Sequence, residues 1–231
     1  MLNININKLE IKKDEKTLVN ISFKILDSTA LIGESGSGKS LTLKALLNLL
    51  PSSLKVNKEI NSNFTLNSDS IGFIPQNPFT SLSPMTKITN QFFCSQKRKE
   101  EVLNLVDLDN SVLNKFPNQL SGGQIQRVVI AIALSKDVKL LLLDEPTTAL
   151  DAQNKDNIIS LINELKNRLN ILILFVTHDI ESIKTICENI IIIKNGNIVE
   201  KGLTKDVLDN PKEDYTKTLI NSTFKNKNFR N

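Results

Sequence analysis

Cysteines and long apolar runs are scarce in this chain of 231 residues, and each scarcity excludes some classes of protein. The two cysteines, Cys94 and Cys187, lie far apart and outside any metal-ligand spacing. They indicate reduced, buried thiols rather than a disulfide framework. The longest apolar runs, such as 128–134 and 171–176, fall well short of the roughly 18 residues that a membrane-spanning helix needs. The N-terminal segment does not resemble a signal peptide, and the sequence therefore predicts a soluble protein.

Excess charge of one sign is also scarce. The chain has 29 basic and 25 acidic residues, which gives a net charge of +4. Its clearest internal basic cluster, 97–99, is followed at once by Glu100 and Glu101, as is typical of a solvated helix face. The basic residues form no stripe that would follow a nucleic-acid backbone, so the sequence predicts no nucleic-acid partner.

One glycine- and serine-rich stretch, residues 33–40, has the pattern of a phosphate-binding loop. An apolar strand-like segment precedes it at 29–32, and helix-forming residues follow it at 41–50. Glycines allow consecutive backbone N–H groups to point into one concave nest, which attracts phosphate oxygens. The predicted nucleotide-binding residues of this stretch are Gly33, Glu34, Ser35, Gly36, Ser37, Gly38, Lys39 and Ser40.

This pattern assigns two side chains in the loop to a nucleoside triphosphate and its metal ion. Lys39 is expected to contact the β- and γ-phosphates, and the Ser40 hydroxyl is expected to bind Mg²⁺. The alternative is a Gly/Ser turn that carries a lysine by chance. The complete motif, with a strand before it and a helix after it, disfavours that alternative.

Two further motifs each have an ordinary structural alternative. Asp144 and Glu145 end an apolar strand, where parallel sheets bind their ligands. Asp144 is a candidate Mg²⁺ ligand and Glu145 a candidate general base, although a polar turn after a strand would have the same sequence. A second anion site is predicted at the start of a helix by Ser121, Gly122, Gly123 and Gln124, where the alternative is a serine-capped glycine turn.

Hydrophobic periodicity predicts alternating strands and helices over most of the chain. Two or three strands are expected within 2–32, whereas 54–70 is predicted to be a short hairpin or loop. The other predicted strands are 71–74, 140–143, 171–176 and 190–193, the last in a hairpin that turns at Asn195-Gly196. The predicted helices are 41–50, 100–106, 123–134, 156–169 and 180–187.

The order and spacing of these motifs resemble those of the ATP-binding subunits of ABC transporters over roughly residues 2–205. The segments that match are GESGSGKS, Gln76 after an apolar strand, LSGGQ, LLLLDEP, Ala149-Leu150-Asp151 and Val176-Thr177-His178-Asp179. The resemblance implies an α/β fold with a P-loop NTPase core. That core has a mostly parallel sheet, antiparallel N-terminal strands and an inserted helical subdomain. The expected division is a core lobe at about 1–76 and 137–205, the helical subdomain at about 77–136, and a C-terminal tail at 206–231.

The resemblance also implies roles for individual residues. ATP and Mg²⁺ are expected between two head-to-tail cassettes, with the signature residues 121–124 of one facing the ATP of the other. Gln76 looks like the glutamine that contacts Mg²⁺ and senses the transmembrane partner, which makes Ser40, Gln76 and Asp144 the candidate metal ligands. Glu145 looks like the general base, and His178, the single histidine, looks like the residue that contacts the γ-phosphate. Asp151 looks like the aspartate that crosses the dimer interface.

A narrower resemblance, to the peptide and nickel importer group, rests on 76–84 and on Asn210-Pro211 with Tyr215-Thr216. It implies a second ATPase subunit, with a heterodimer favoured over a homodimer, and two transmembrane permease subunits. It also implies an extracellular substrate-binding protein and a location on the cytoplasmic face of the cell membrane. Dipeptides, oligopeptides and nickel remain open as cargo. The family's adenine-stacking aromatic residue has no counterpart here, since none precedes Phe23.

Two alternatives outside transport are disfavoured. A nucleic-acid- or ribosome-associated ABC ATPase needs long coiled-coil inserts or tandem cassettes, and this chain has neither. A regulatory cassette that does not hydrolyse ATP would not need the complete motif set.

Overall fold

The computed structural model describes residues 1–148 and 151–225, and it divides into two compact units. Unit 1 comprises residues 1–65 and the chain from Leu172 onward, and unit 2 comprises residues 66–171. Two residues of the predicted interface motif, Ala149 and Leu150, lie outside the described residues, as does the end of the predicted tail, 226–231. The predicted division into a core lobe, a helical subdomain and a tail stays a prediction.

Three strands begin the chain, and helices and further strands follow them. The strands are β1 (Asn3–Lys13), β2 (Lys16–Leu26), β3 (Ser28–Ile32), β4 (Lys55–Ser62), β5 (Ile71–Ile74), β6 (Leu140–Asp144), β7 (Leu172–Thr177), β8 (Asn189–Lys194) and β9 (Asn197–Leu203). The helices are α1 (Lys39–Leu46), α2 (Gln96–Leu105), α3 (Gly122–Ala133), α4 (Ala152–Leu169), α5 (Ile180–Lys184), α6 (Thr204–Asp209) and α7 (Asp214–Lys225). Short 3₁₀ turns lie at Pro78–Ser81, Ile88–Gln91, Asn110–Asn114 and Pro117–Gln119.

Unit 1 contains two sets of strands. The first is antiparallel, in the order β2-β1-β4. In the second, β3 lies between β7 and β8 and is parallel to both, while β9 pairs antiparallel with β8. In unit 2, β5 and β6 are parallel. The predicted α/β class, with a mostly parallel sheet and antiparallel N-terminal strands, is therefore confirmed.

A bulge in β1 explains an irregular apolar pattern. Ile4 and Ile6 occupy even positions and Leu9 and Ile11 odd ones, yet all four side chains are buried. In a regular strand, even and odd positions face opposite sides. The register of β1 against β2 shifts between Ile6 and Leu9, which brings both pairs to the core side.

The segment predicted to be a short hairpin or loop, 54–70, contains instead one eight-residue strand, β4. Its side chains are almost all exposed, so no apolar alternation marks the strand in the sequence. Pairing with the backbone of β1 holds β4 in place, from Ile4 opposite Ser62 to Lys12 opposite Lys55. Such a long-range backbone pairing produces no recognisable pattern in the local sequence.

The core of unit 2 is built from strand β6 and the apolar faces of its helices. Leu140, Leu141, Leu142 and Leu143 are all fully buried, as expected for a strand of a parallel sheet that is covered on both faces. Helix α4 contributes Ile158, Ile162 and other apolar residues at helical spacing. Among the helices of the described residues, none combines the length and the apolar character that crossing a membrane requires.

Candidate functional site

The predicted phosphate loop connects β3 to α1 in unit 1. Strand β3 is buried along its whole length, and the chain turns sharply after Ile32. Gly36 and Gly38 have φ angles of 79° and 108°, a region that glycine adopts at little cost. Gly38 is also the N-cap of α1, so the loop ends where the free N–H groups of the helix begin.

The contents of the loop suit a phosphate ligand. The hydroxyl of Ser37 is buried and has no hydrogen-bond partner among the described residues, although a buried hydroxyl normally has one. Lys39 is 7% exposed, and its Nζ donates to the carbonyls of Gly33 at 2.7 Å and Glu34 at 2.9 Å. The loop therefore concentrates buried donors and one cation, as an anion site requires.

Another part of unit 1, the β8–β9 turn, supports this loop. The backbone N–H of Gly196 donates to the carbonyl of Ser37 at 2.9 Å. A Cβ atom on Gly33 would lie 2.2 Å from the carbonyl oxygen of Ile193, so only glycine fits there. The close packing of the loop against the end of β8 explains the glycine at position 33.

His178 follows β7 at the same sheet edge as the loop. The parallel register pairs Ile32 with Thr177, so Gly33 and His178 both leave the sheet at its carboxyl end. Thr177 is buried and its hydroxyl accepts the N–H of Asp179 at 3.0 Å, which fixes the turn, while the side chain of His178 is exposed. Within unit 1, the structure thus brings His178 to the edge that carries the phosphate loop.

Unit 2 holds the predicted general base in a defined position. The register of β5 and β6 pairs Ile74 with Leu143, which places Gln76 and Glu145 just beyond the same sheet edge. Nε2 of Gln76 donates to Oε2 of Glu145 at 3.2 Å, and Oγ1 of Thr148 donates to the same oxygen at 3.1 Å. Gln76 and Glu145, which were predicted separately, therefore form one hydrogen-bonded pair.

The predicted signature segment begins helix α3 with a capping box. The Ser121 hydroxyl accepts the N–H of Gln124 at 3.3 Å, and the Gln124 side chain accepts the N–H of Ser121 at 3.0 Å. Gly122 and Gly123 form the first turn of this twelve-residue helix. Ser121 therefore caps α3, and the anion site at this helix start stays a prediction.

Asp151 is tied to its neighbour Asn154, a residue that the sequence analysis did not single out. The backbone N–H of Asn154 donates to Oδ1 of Asp151 at 2.9 Å, and its side-chain amide donates to Oδ2 at 2.7 Å. These two bonds lower the pKa of Asp151 below its usual value. A Cβ atom on Gly123 would lie 3.1 Å from Oδ1 of Asn154, so Asn154 links Asp151 to the signature helix.

Two other contacts were not predicted from the sequence. Thr148 contacts Glu145, and the hydroxyl of Tyr215 accepts the backbone N–H of Glu34 at 3.2 Å. Asn154 and Thr148 lie three residues from their partners, a spacing that suits capping and turn bonds and could have identified them. For Tyr215 the sequence offers only its place in the tail motif, because it is 181 positions from Glu34.

Comparisons with known proteins give a consistent result. A family model described as "ABC transporter" matches residues 18–148. The dipeptide transport ATP-binding protein DppD of Caldanaerobacter subterraneus subsp. tengcongensis is 36% identical, over 90% of this chain and 72% of that protein. The oligopeptide transport ATP-binding protein OppD of Lactococcus lactis subsp. cremoris is 32% identical, over 88% of this chain and 68% of that protein. The structure of cbiO1 from Clostridium perfringens, part of the ABC transporter complex cbiONQ, aligns with a TM-score of 0.77 at 26% identity and covers 90% of both chains.

Proposed function

The chain belongs to the ABC transporter family, and on that premise we propose that it is the ATP-hydrolysing subunit of a bacterial importer of peptides. The observation that carries the ATP-binding part is the glycine loop of unit 1, with its buried Ser37 hydroxyl and its buried Lys39 ammonium. The similarity to DppD and OppD supports peptides as cargo. Nickel, the other cargo expected from the narrower resemblance, is separated from peptides by the experiment below.

Nucleotide binding is assigned to the loop, residues 33–40. Its backbone N–H groups and the first turn of α1 would hold the phosphate oxygens, and Lys39 would contact the β- and γ-phosphates from its place beside the carbonyls of Gly33 and Glu34. The Ser37 hydroxyl would gain the partner it lacks among the described residues. No aromatic residue precedes Phe23, so we assign the adenine contact to aliphatic and lysine-stem packing near 11–14.

Mg²⁺ is assigned to Ser40, Gln76 and Asp144 together with phosphate oxygens. The described residues contain no cluster of three acidic, histidine or cysteine side chains that could hold a metal ion. This composition suits Mg²⁺, which usually keeps water and substrate oxygens as ligands and needs few carboxylates. When bound, Mg²⁺ neutralises phosphate charge during phosphoryl transfer.

Hydrolysis is assigned to Glu145 and His178. Gln76 and Thr148 fix one carboxylate oxygen of Glu145, so the carboxylate would accept a proton from water in a set orientation. His178, whose side chain is exposed at the carboxyl end of β7, would contact the γ-phosphate. Ser121, Gly122, Gly123 and Gln124 would face the ATP of a second cassette, with Asp151 at the interface between the two cassettes.

Family membership supports a set of partners. We propose a second, different ATPase subunit, two transmembrane permease subunits and an extracellular substrate-binding protein that acts through them. The chain would then lie on the cytoplasmic face of the membrane, with no nucleic-acid partner. Within unit 2, segment 77–93 has three exposed apolar side chains, Phe79, Met85 and Phe93, and we assign it as the surface that docks on the permease.

The test is ATP turnover by membranes that contain this chain together with the permease subunits encoded beside it. We expect turnover to rise when a peptide and its binding protein are added. Replacing Glu145 by Gln should lower turnover about a hundredfold or more, because general-base catalysis typically contributes that much. The matched control is Glu164→Gln, which makes the same charge change at an exposed residue of α4 and should leave turnover unchanged.

Three results would contradict the proposal. Turnover that survives Glu145→Gln would remove Glu145 as the base. Stimulation by Ni²⁺ but not by peptides would overturn the peptide assignment. A purified chain that sediments with ribosomes or DNA and does not join the permease membranes would overturn the transport role.

A further inference from the structure

The single tyrosine of the chain contacts the phosphate loop from the last described helix. Tyr215 lies in the first turn of α7, and its hydroxyl accepts the backbone N–H of Glu34 at 3.2 Å. Both residues belong to unit 1. The contact brings the tail of the chain onto the second residue of the loop.

The ring of Tyr215 is held by a second contact. Nζ of Lys194, at the end of β8, lies 4.4 Å from the ring centroid, within the range of a cation–π interaction. The Tyr215 side chain is half-buried, and this contact restricts the directions in which its hydroxyl can point. The hydroxyl is therefore presented to the loop in a defined orientation.

The start of α7 is anchored as well. The carboxylate of Glu200, on β9, accepts the backbone N–H groups of Lys212 at 3.0 Å and Glu213 at 3.2 Å. Burial alone would raise the pKa of Glu200. The Thr216 side chain and these two N–H groups outweigh burial and lower the pKa below its usual value. An ionised carboxylate thus fixes the chain just before Tyr215.

The hydrogen bond from Glu34 to Tyr215 acts on the same peptide group as Lys39. The N–H of Glu34 and the carbonyl of Gly33 are opposite ends of one planar peptide. Tyr215 accepts from the N–H end, and Lys39 donates to the carbonyl end at 2.7 Å. Because both ends are hydrogen-bonded, the peptide resists rotation. The Gly33 carbonyl, which accepts from Lys39, therefore keeps its direction.

We propose that Tyr215 is a positioning residue for nucleotide binding, which it promotes by fixing the Gly33–Glu34 peptide at the entrance of the phosphate loop. The inference rests on the proposed function, since it assumes that residues 33–40 bind ATP. A loop already in its binding conformation loses less conformational entropy when the ligand arrives, and this raises affinity. Tyr215 itself needs no contact with the nucleotide for this effect.

The test compares two variants that each remove one hydroxyl from α7. Tyr215→Phe deletes the bond to Glu34 and keeps the ring for Lys194. The control, Thr218→Val, deletes a hydroxyl one turn along the helix that donates to the carbonyl of Asp214 at 2.9 Å. The affinity of the purified full-length chain for a ribose-labelled fluorescent ATP analogue with Mg²⁺ is measured from the emission of the label. Urea unfolding is measured on the same samples.

We expect Tyr215→Phe to weaken binding of the analogue about two- to tenfold, the worth of one hydrogen bond, with Thr218→Val changing it less than about twofold. In the unaltered chain, ATP should change the tyrosine emission with the same midpoint as it displaces the analogue. The signal is unambiguous because the chain has one tyrosine and no tryptophan.

Equal affinity of the Tyr215→Phe variant and the unaltered chain would overturn the role of Tyr215 and leave the proposed function intact. A loss of affinity that only tracks a loss of stability would also overturn that role, since it would make Tyr215 merely structural. If the unaltered chain fails to bind the analogue at all, the proposed function falls, and the positioning role falls with it.

Discussion

At the scale of single residues, the clearest departure from ordinary backbone geometry lies at the predicted general base. Glu145 has a φ angle of 48°. This is the left-handed region, which residues other than glycine, asparagine and aspartate rarely adopt. Such a conformation costs of order 1–3 kcal/mol and persists only where the surroundings enforce it. Gln76 and Thr148 hold the carboxylate, so local strain and side-chain hydrogen bonds together define the orientation of this group.

Tyr215 provides a prediction at the same scale. Burial raises the pKa of its phenol, the Glu34 N–H opposes that rise, and the negative charge of Glu34 adds to it, which leaves the pKa above its ordinary value of 10.0. We expect phenolate absorbance of the native chain to appear at higher pH than in the urea-unfolded chain. Since the folded pKa is the higher one, the stability linked to this group is fully present below the unfolded pKa. It is lost as pH rises through the folded pKa.

This titration has a simple internal reference. With one tyrosine in the chain, the native and unfolded curves each report a single group. A native curve that coincides with the unfolded one, or lies at lower pH, would contradict the half-buried, hydrogen-bonded environment described for Tyr215.

At the scale of elements, the β8–β9 turn packs closely against β2. Gly196 and Gly36 have nearly equal φ angles, 75° and 79°, but only Gly196 is crowded. A Cβ atom on Gly196 would lie 2.0 Å from the Leu18 carbonyl oxygen, whereas nothing lies within 4 Å of one on Gly36. An alanine at Gly36 would therefore introduce backbone strain alone, whereas an alanine at Gly196 would add steric overlap to the same strain.

We expect Gly36→Ala to lower the free energy of unfolding by about 1–2 kcal/mol, the cost of a left-handed alanine. Gly196→Ala should cost at least about 2 kcal/mol more, because the overlap adds to the same strain. Urea unfolding without nucleotide measures both variants. Equal costs would show that the turn and β2 are packed less closely than the structure indicates.

The elements also show which features sequence patterns encode. Strand β6 was predicted because a short run of four leucines, 140–143, that ends at two acids and a proline is typical of a buried parallel strand. The cap of α3 was predicted because Ser121 acts within its own turn. Strand β4 was missed because its stability comes from pairing with β1, and Tyr215 was missed because its partner lies in a distant part of the sequence. Local patterns thus predicted the loop and the acidic pair, but not the contacts that hold them.

At the scale of the whole molecule, the proposed attachment to a membrane complex would use the exposed apolar residues of unit 2. Met85 is 86% exposed and Phe93 is 92% exposed. Replacing both by Asp should reduce recovery of the chain with permease-containing membranes about tenfold or more, because an interface would then bury unpaired carboxylates. Co-sedimentation with those membranes measures the effect.

The control for this prediction is Leu49→Asp. Leu49 is also an exposed apolar residue, at 63%, but lies in unit 1 and outside segment 77–93. Binding of the fluorescent ATP analogue should be unchanged in the Met85/Phe93 double variant, which would show that the cassette itself is intact. Undiminished recovery with membranes would remove this segment as the docking surface.

The position of Tyr215 near the end of the described chain has a consequence for biosynthesis. A ribosome releases the phosphate loop early, yet the supports of that loop, the β8–β9 turn and Tyr215, emerge much later, the tyrosine 181 positions after Glu34. Until then a nascent chain carries the loop sequence without the contacts that shape it. Nucleotide capture therefore reaches its full affinity only after Tyr215 has left the ribosome and α7 has formed.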